Sequence, residues 1–179
     1  MTIKTIMVVG SGFMGSGIAQ VAAQSGYNVI LNDIEAKLTE KSMHSISEHL
    51  SKRVSAGKLT DDDKNSILSR ITGNANIEEA QDADFIIEAI IEKIDAKKDL
   101  FKKLDDICKP EVIFASNTST IPIGQLATAV KRSDKFLGMH FFSPVSVMPL
   151  VEIIRGMKTS SQTVATTEAV VSKMGKEGV

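Results

Sequence analysis

The apolar positions of this chain change rhythm repeatedly, from short unbroken runs to residues spaced three to five apart. A run at 5–9 leads into glycines at 10, 12 and 15 and then into a helical spacing, which predicts strand, tight turn and helix in that order. A second run at 28–32 follows a stop at Gly26. From 35 to 56 the apolar residues are Leu38, Met43, Ile46, Leu50 and Val54, the spacing of an amphipathic helix, ended by Gly57. Thr60 ahead of Asp61, Asp62 and Asp63 reads as the N-cap and acid-rich first turn of another helix. These two helices are expected as a hairpin inserted after the second strand.

The alternation continues to the end of the chain. Residues 71–73 are a short strand, and Asn76 with Glu79 resembles a capping box that opens a brief helix. Residues 84–88 are a strand. A helix over 94–108 carries Leu100, Phe101, Leu104 and Ile107 on one face and is stopped by Pro110. Strands at 112–116, 136–142 and 150–154 follow, with a short helix from Pro122 through Val130. Ser160 or Ser161 caps a last helix that reaches Met174 and stops at Gly175. Unbroken, β-branched runs suit strands covered on both faces. Strands alternating with helices predict an α/β fold with a doubly wound, mostly parallel sheet.

Composition narrows the function classes. The chain has 179 residues, 42% of them apolar and 24% charged, with a net charge of −1. That suits one well-cored domain, without the basic excess of a nucleic-acid binder. No unbroken apolar run approaches the ~20 residues of a membrane span. The single cysteine, Cys108, completes the apolar face of its helix and is expected in the core. His44 and His49 lie five residues apart, off the spacing for shared ligation on one helix face, and are expected at the surface. No metal site is expected.

The glycines acquire a chemical meaning from their context. Gly10 lets the strand turn sharply, Gly12 lets backbone N–H groups approach a pyrophosphate, and Gly15 lets the helix pack closely. The helix N-terminus then presents unpaired N–H groups and a positive dipole end to the anion. Asp33 closes the second strand eighteen residues beyond Gly15, where a carboxylate accepts from an adenosine ribose. No cationic residue follows it until Lys37, so NAD is expected over NADP. Together these make a Rossmann-type fingerprint. Ligands of such sheets bind beyond the carboxyl ends of the strands. Asp33, Glu88 with Ala89, residues 116–119 and His140 all fall near those ends. Hydride transfer from an alcohol needs a base for the hydroxyl proton, and imidazole suits that role. His140 is flanked by Phe141 and Phe142. Glu152, twelve residues on and on the next strand, is placed to hold the ring in one tautomer.

Six stretches carry a resemblance: 10–15 (GSGFMG), 31–33 (LND), 88–92 (EAIIE), 114–119 (FASNTS), 138–142 (GMHFF) and 150–154 (LVEII). In this order they resemble the NAD-binding domain of the 3-hydroxyacyl-CoA dehydrogenases, particularly the bacterial 3-hydroxybutyryl-CoA branch. The resemblance implies reversible, NAD-dependent oxidation of a short-chain 3-hydroxyacyl-CoA to the 3-ketoacyl-CoA. It implies His140 as general base, Glu152 as its orienting carboxylate, Ser119 as a hydrogen-bond partner of the substrate oxygen and Asn117 as support for the same loop. Around the cofactor it places Gly10, Gly12, Phe13, Met14, Gly15, Asp33, Ala89, Glu92, Lys97, Asn117, Ser119 and Ser143. Ser143 stands where the family usually has Asn, a shorter contact for the nicotinamide end. Lys52 and Lys58 are candidate partners for CoA phosphates.

The resemblance further implies a helical domain following residue 179, through which family members dimerise and which adds an active-site Asn. Residues 1–179 are accordingly expected as the NAD-binding domain, able to hold NAD with most turnover lost, in a bacterial cytoplasm. The Gly-x-Gly-x-Met-Gly β-hydroxyacid dehydrogenases are a rival, but their base is typically a Lys on a later helix, against the spacing of His140 and Glu152. A different class of reading keeps the cofactor site and discards catalysis: a non-catalytic NAD-binding or structural module, as in the lens crystallin the family includes.

Overall fold

The computed structural model describes residues 2–179. Strand β1 (Thr5–Val9) leads through the glycine bend into α1 (Phe13–Gln24) and β2 (Asn28–Asn32). Helices α2 (Ala36–Ser55) and α3 (Asp61–Ser69) come next, then β3 (Ile71–Asn74), β4 (Phe85–Glu88), α4 (Ile94–Ile107) and β5 (Ile113–Ser116). A short α5 (Ile123–Leu126), β6 (Phe136–Phe141), β7 (Leu150–Arg155), α6 (Ser161–Lys173) and a two-residue β8 (Glu177–Gly178) complete the order. The strands form one sheet in the order β3-β2-β1-β4-β5-β6-β7-β8. Every pairing is parallel except that of β6 with β7.

Helices cover both faces of this sheet, which is why its strands read as unbroken apolar runs. Ile6 and Val8 of β1 pack in a layer with Ile18 of α1, Ile46 and Leu50 of α2, Ile67 of α3 and Val170 of α6. Met7 and Val9 face the other way, with Phe101 and Leu104 of α4 and Ile123 and Leu126 of α5. Burying such side chains contributes about 1.5–3 kcal/mol each. Cys108 lies in the second layer, and burial pushes its thiol up to about 11. It is a packed core residue.

The start signals hold in two places and change in a third. Thr60 and Asp63 form a full capping box on α3, and Ser160 accepts from the Thr163 N–H at the start of α6. Asn76 makes only half of the expected box. It accepts from the Glu78 N–H, while the Glu79 carboxylate is taken by the Asn74 amide at 2.6 Å, and the segment is a 3₁₀ turn. The helix expected from Pro122 through Val130 is one α turn followed by a 3₁₀ turn. His49 is also not a plain surface residue: it is half-buried, its Nδ1 2.8 Å from the amide oxygen of buried Gln20. His44 is exposed.

Candidate active site

The chain fills the sheet outward in opposite directions from β1 and β4, which lie side by side. That reversal opens a crevice at the carboxyl edge. In register, Val9 lies beside Glu88, Glu88 beside Ser116 and Ser116 beside Gly138. The segments that begin at Gly10, Ala89 and Asn117, and the end of β6 that carries His140, therefore leave the sheet at one edge.

Two glycines of the bend are dictated by backbone neighbours. Gly10 has φ +99° and would bring a Cβ to 2.5 Å from the Ala89 carbonyl oxygen. A Cβ on Gly15 would lie 1.7 Å from the Gly10 carbonyl oxygen. Gly12 is different: nothing stands within 4 Å of where its Cβ would be, and no side chain caps the α1 N-terminus that it begins. Open space beside uncapped N–H groups is a cradle that a side chain would fill, and it fits the pyrophosphate of a dinucleotide. Phe13 is exposed and Met14 half-buried beside it. Asp33 is fixed by a residue that the sequence pattern does not single out. Its Oδ2 accepts from both the N–H and the hydroxyl of Ser11 at 2.7 Å, and its Oδ1 from the Ile34 N–H at 2.8 Å. Ser11 thus fills Oδ2, while Oδ1 keeps an acceptor site for a ribose hydroxyl. Lys37, the first cationic residue after Asp33 in the sequence, is paired with Glu35 at 2.6 Å.

At the other end of the crevice, side chains set the geometry. His140 and Glu152 face each other directly across the antiparallel β6–β7 pair, and their side chains meet, Nδ1 to Oε2, at 2.7 Å. A carboxylate at Nδ1 favours the ring tautomer that donates from Nδ1, and in the neutral ring that tautomer leaves the lone pair on Nε2. Nε2 lies 3.1 Å from the Ser119 hydroxyl. The imidazole is thus held between a carboxylate and a hydroxyl, with its side chain 19% exposed. Leu137, Met139 and Phe141 pack in the α1 layer, so the strand's alternation turns His140 towards the α4 and α5 side. Phe142 lies against the ring, centroids 4.9 Å apart. The side-chain oxygen of Asn117 accepts from the Phe141 N–H at 2.8 Å, tying the loop after β5 to the end of β6. Ser143 is exposed just beyond that end.

Between the two ends lies an ion cluster. Glu88 is fully buried and accepts from the Lys97 ammonium at 2.5 Å, the Ser116 hydroxyl at 2.6 Å and the Ile90 N–H at 2.8 Å. Lys97, expected around the cofactor, is buried, its ammonium spanning Glu88 and Glu92 at 2.5 and 3.2 Å. Partial burial works to raise the Glu92 carboxyl, but hydrogen bonds from Thr118 and the Thr120 backbone, together with the Lys97 charge, outweigh it and hold the group at about 2.

A cleft of about 300 Å³ beside the bend runs between α1 and α2, lined by Phe13, Ser16, Gln20, His49 and Val145. Lys52 lines a separate open groove along α2 with His44 and Ser51, and Lys58 is exposed beyond it. Among the described residues no group of three His, Cys, Asp or Glu side chains is arranged to hold a metal ion. No described helix is long and apolar enough to cross a membrane.

Comparison with known proteins agrees with this layout. The family model for the 3-hydroxyacyl-CoA dehydrogenase NAD binding domain matches residues 5–179. A probable 3-hydroxybutyryl-CoA dehydrogenase of Bacillus subtilis is 45% identical over 179 residues, which are 100% of this chain and 62% of that protein. The fatty acid oxidation complex subunit alpha of Psychrobacter arcticus is 44% identical over 174 residues, 97% of this chain and 24% of that one. The crystal structure of (S)-3-hydroxybutyryl-CoA dehydrogenase from Ralstonia eutropha superposes with a TM-score of 0.98 at 43% identity, over 99% of this chain and 63% of that structure. The chain therefore spans less than two thirds of these relatives. Over its own length, the glycine bend, the paired His140 and Glu152 and the matched family model have one reading: the chain belongs to the NAD-binding domain family of the 3-hydroxyacyl-CoA dehydrogenases.

Proposed function

We propose that this chain is the cofactor-binding part of a dehydrogenase that interconverts a short-chain 3-hydroxyacyl-CoA and its 3-ketoacyl-CoA, with His140 as general base. The observation that carries the proposal is the imidazole held by Glu152 at Nδ1 and Ser119 at Nε2, at the same sheet edge as the glycine bend. When bound, NAD supplies the hydride acceptor. Gly10, Gly12 and Gly15, with Phe13 and Met14, frame the dinucleotide at one end, while Ala89, Asn117 and Ser143 line its path towards the nicotinamide end. Asp33 faces the adenosine ribose.

In oxidation, Nε2 of His140 accepts the proton of the substrate hydroxyl. Ser119 donates to the same oxygen and keeps it in line with the ring. Glu152 holds the tautomer that leaves Nε2 free and offsets the positive charge that forms on the ring. In reduction, the imidazolium returns the proton to the oxygen. We take residues 1–179 as one domain of this enzyme, acting in the cytoplasm on acyl-CoA in a protein that dimerises through a helical domain supplied by the rest of the enzyme.

The test mixes the protein with acetoacetyl-CoA and NADH and follows the absorbance of the reduced nicotinamide, beside His140→Ala. A fall in turnover of about 10²–10⁴, the ordinary worth of a positioned general base, with NADH affinity kept, supports the proposal. NADH binding without oxidation in either protein, including after addition of the helical domain in trans, supports a non-catalytic module instead.

A further inference from the structure

The loop that joins β6 to β7 leaves the sheet just beyond His140, with Ser143, Pro144, Ser146 and Val147 exposed. Exposed loops of this kind are ordinarily mobile. This one is held at two points. The first is Val145, buried in the α1 layer against Gly17, where an added Cβ would come to 3.0 Å from the valine side chain. Gly17 belongs to the helix whose N-terminus frames the pyrophosphate cradle.

The second hold is a lysine. The Lys176 ammonium donates to the Val145 carbonyl at 2.5 Å and to the Met148 carbonyl at 2.8 Å. The neighbouring Glu177 N–H donates to the Pro149 carbonyl at 2.8 Å, and inside the loop the Val147 and Met148 N–H groups both donate to the Pro144 carbonyl at 2.9 Å. The end of α6 brings Lys176 to this place: Gly175 takes φ +69°, and the Lys176 N–H returns to the Val171 carbonyl at 3.2 Å, a turn that closes the helix. Among the described residues no carboxylate pairs with this ammonium. Burial pushes it below the usual lysine range. A cation withdrawn from water with only carbonyls for partners does not favour folding by its charge, and what it does secure is the course of one loop. The Phe141 N–H is tied to Asn117 on the other side. Between that tie and Val145 the chain passes only through Phe142, Ser143 and Pro144, which leaves Ser143 little room to shift.

We propose that Lys176 is a positioning residue: by holding the Val145 and Met148 carbonyls it fixes the loop after β6 against α1, and so sets where Ser143 stands at the nicotinamide end of the cofactor. The role of Ser143 rests on the NAD-binding reading above; the hold on the loop does not.

The test uses Lys176→Met, which keeps the length of the side chain and removes its donors. Val145→Ala is the second variant, since it frees the same loop from α1 without leaving carbonyls unpaired. Amide hydrogen exchange at Val147 and Met148 should speed up about tenfold in Lys176→Met, the worth of a hydrogen bond to a charged group. Affinity is then measured for NADH and for ADP-ribose, which lacks the nicotinamide. Both variants should bind NADH about three- to tenfold more weakly and ADP-ribose within about twofold of the unmutated protein. A merely structural lysine would not give that split. Lys176→Met combined with Ser143→Ala should bind NADH no worse than the weaker of the two single variants, as expected when one residue acts through the other. Unchanged exchange would overturn the proposal, and so would a loosened loop with NADH affinity intact, or NADH and ADP-ribose weakened alike. If the unmutated protein binds neither nucleotide, the cofactor reading fails and takes the role of Ser143 with it, while the exchange rates still decide whether Lys176 holds the loop.

Discussion

The two ends of the crevice are built by different means. At the bend after β1 the backbone makes the site, and glycines are needed because carbonyl oxygens stand where side chains would go. At the ends of β5, β6 and β7 side chains make it: Ser119, His140 and Glu152 come from three separate segments and meet by strand register and hydrogen bonding. The first end therefore fails by steric exclusion, and the second by loss of a charge or a proton acceptor. Substitutions at the bend should act on folding and cofactor affinity, and substitutions at the imidazole on turnover alone.

The strongest way to break that division is Gly15→Ala. Its Cβ would overlap a backbone oxygen that has nowhere to retreat, so the expected loss is at least about 3 kcal/mol, the upper end of ordinary overpacking. A thermal melt reads this as a fall of about 2–4 °C for each kcal/mol. Glu152→Gln comes next. It keeps an acceptor for Nδ1–H but removes the charge facing the ring, so turnover should drop about ten- to a hundredfold, with melting temperature and NADH affinity preserved. Gly12→Ala sharpens the contrast with Gly15. Its Cβ meets nothing in the protein, so the fold should be unaffected while the methyl intrudes on the cradle and NADH affinity falls about tenfold.

The smallest expected effect is on acid stability. The Glu92 carboxyl is held below its unfolded value of 4.5, at about 2. Its contribution is therefore complete above pH 4.5 and is lost as the pH falls towards 2. The stability of Glu92→Gln should accordingly fall less steeply across that window in chemical denaturation.

The same division explains what could be read from the sequence. The sheet was legible because helices cover both faces, so strands such as 28–32 and 84–88 are unbroken apolar runs between turn signals. The bend was legible because steric demands leave glycine little substitute. The two-residue β8 was not, since Glu177 and Gly178 carry no apolar pattern and join the sheet only through pairing with β7. Asn76 with Glu79 matched a capping box in spacing, but Asn74 competes for the glutamate, a contact that no local pattern announces. His140 and Glu152 could be nominated as a pair, whereas the hold of Ser11 on Asp33 and of Glu92 on the Ser119 loop could not. Those links span 22 and 27 residues and arise only when the sheet aligns its carboxyl ends. Gln20 and His49 were missed for the same reason, since the closeness of α1 and α2 decides their contact.

The central claim is that the glycine bend and the imidazole of His140 serve one nucleotide. Nuclear Overhauser contacts from NADH bound to the isotope-labelled protein test it directly. The account predicts contacts from the adenosine ribose to residues near Asp33 and, in the same complex, from the nicotinamide protons to the side chains of Ser119 or His140. A nucleotide that touches the Asp33 end while its nicotinamide shows no contact with residues 117–119 or 140–143 would contradict it.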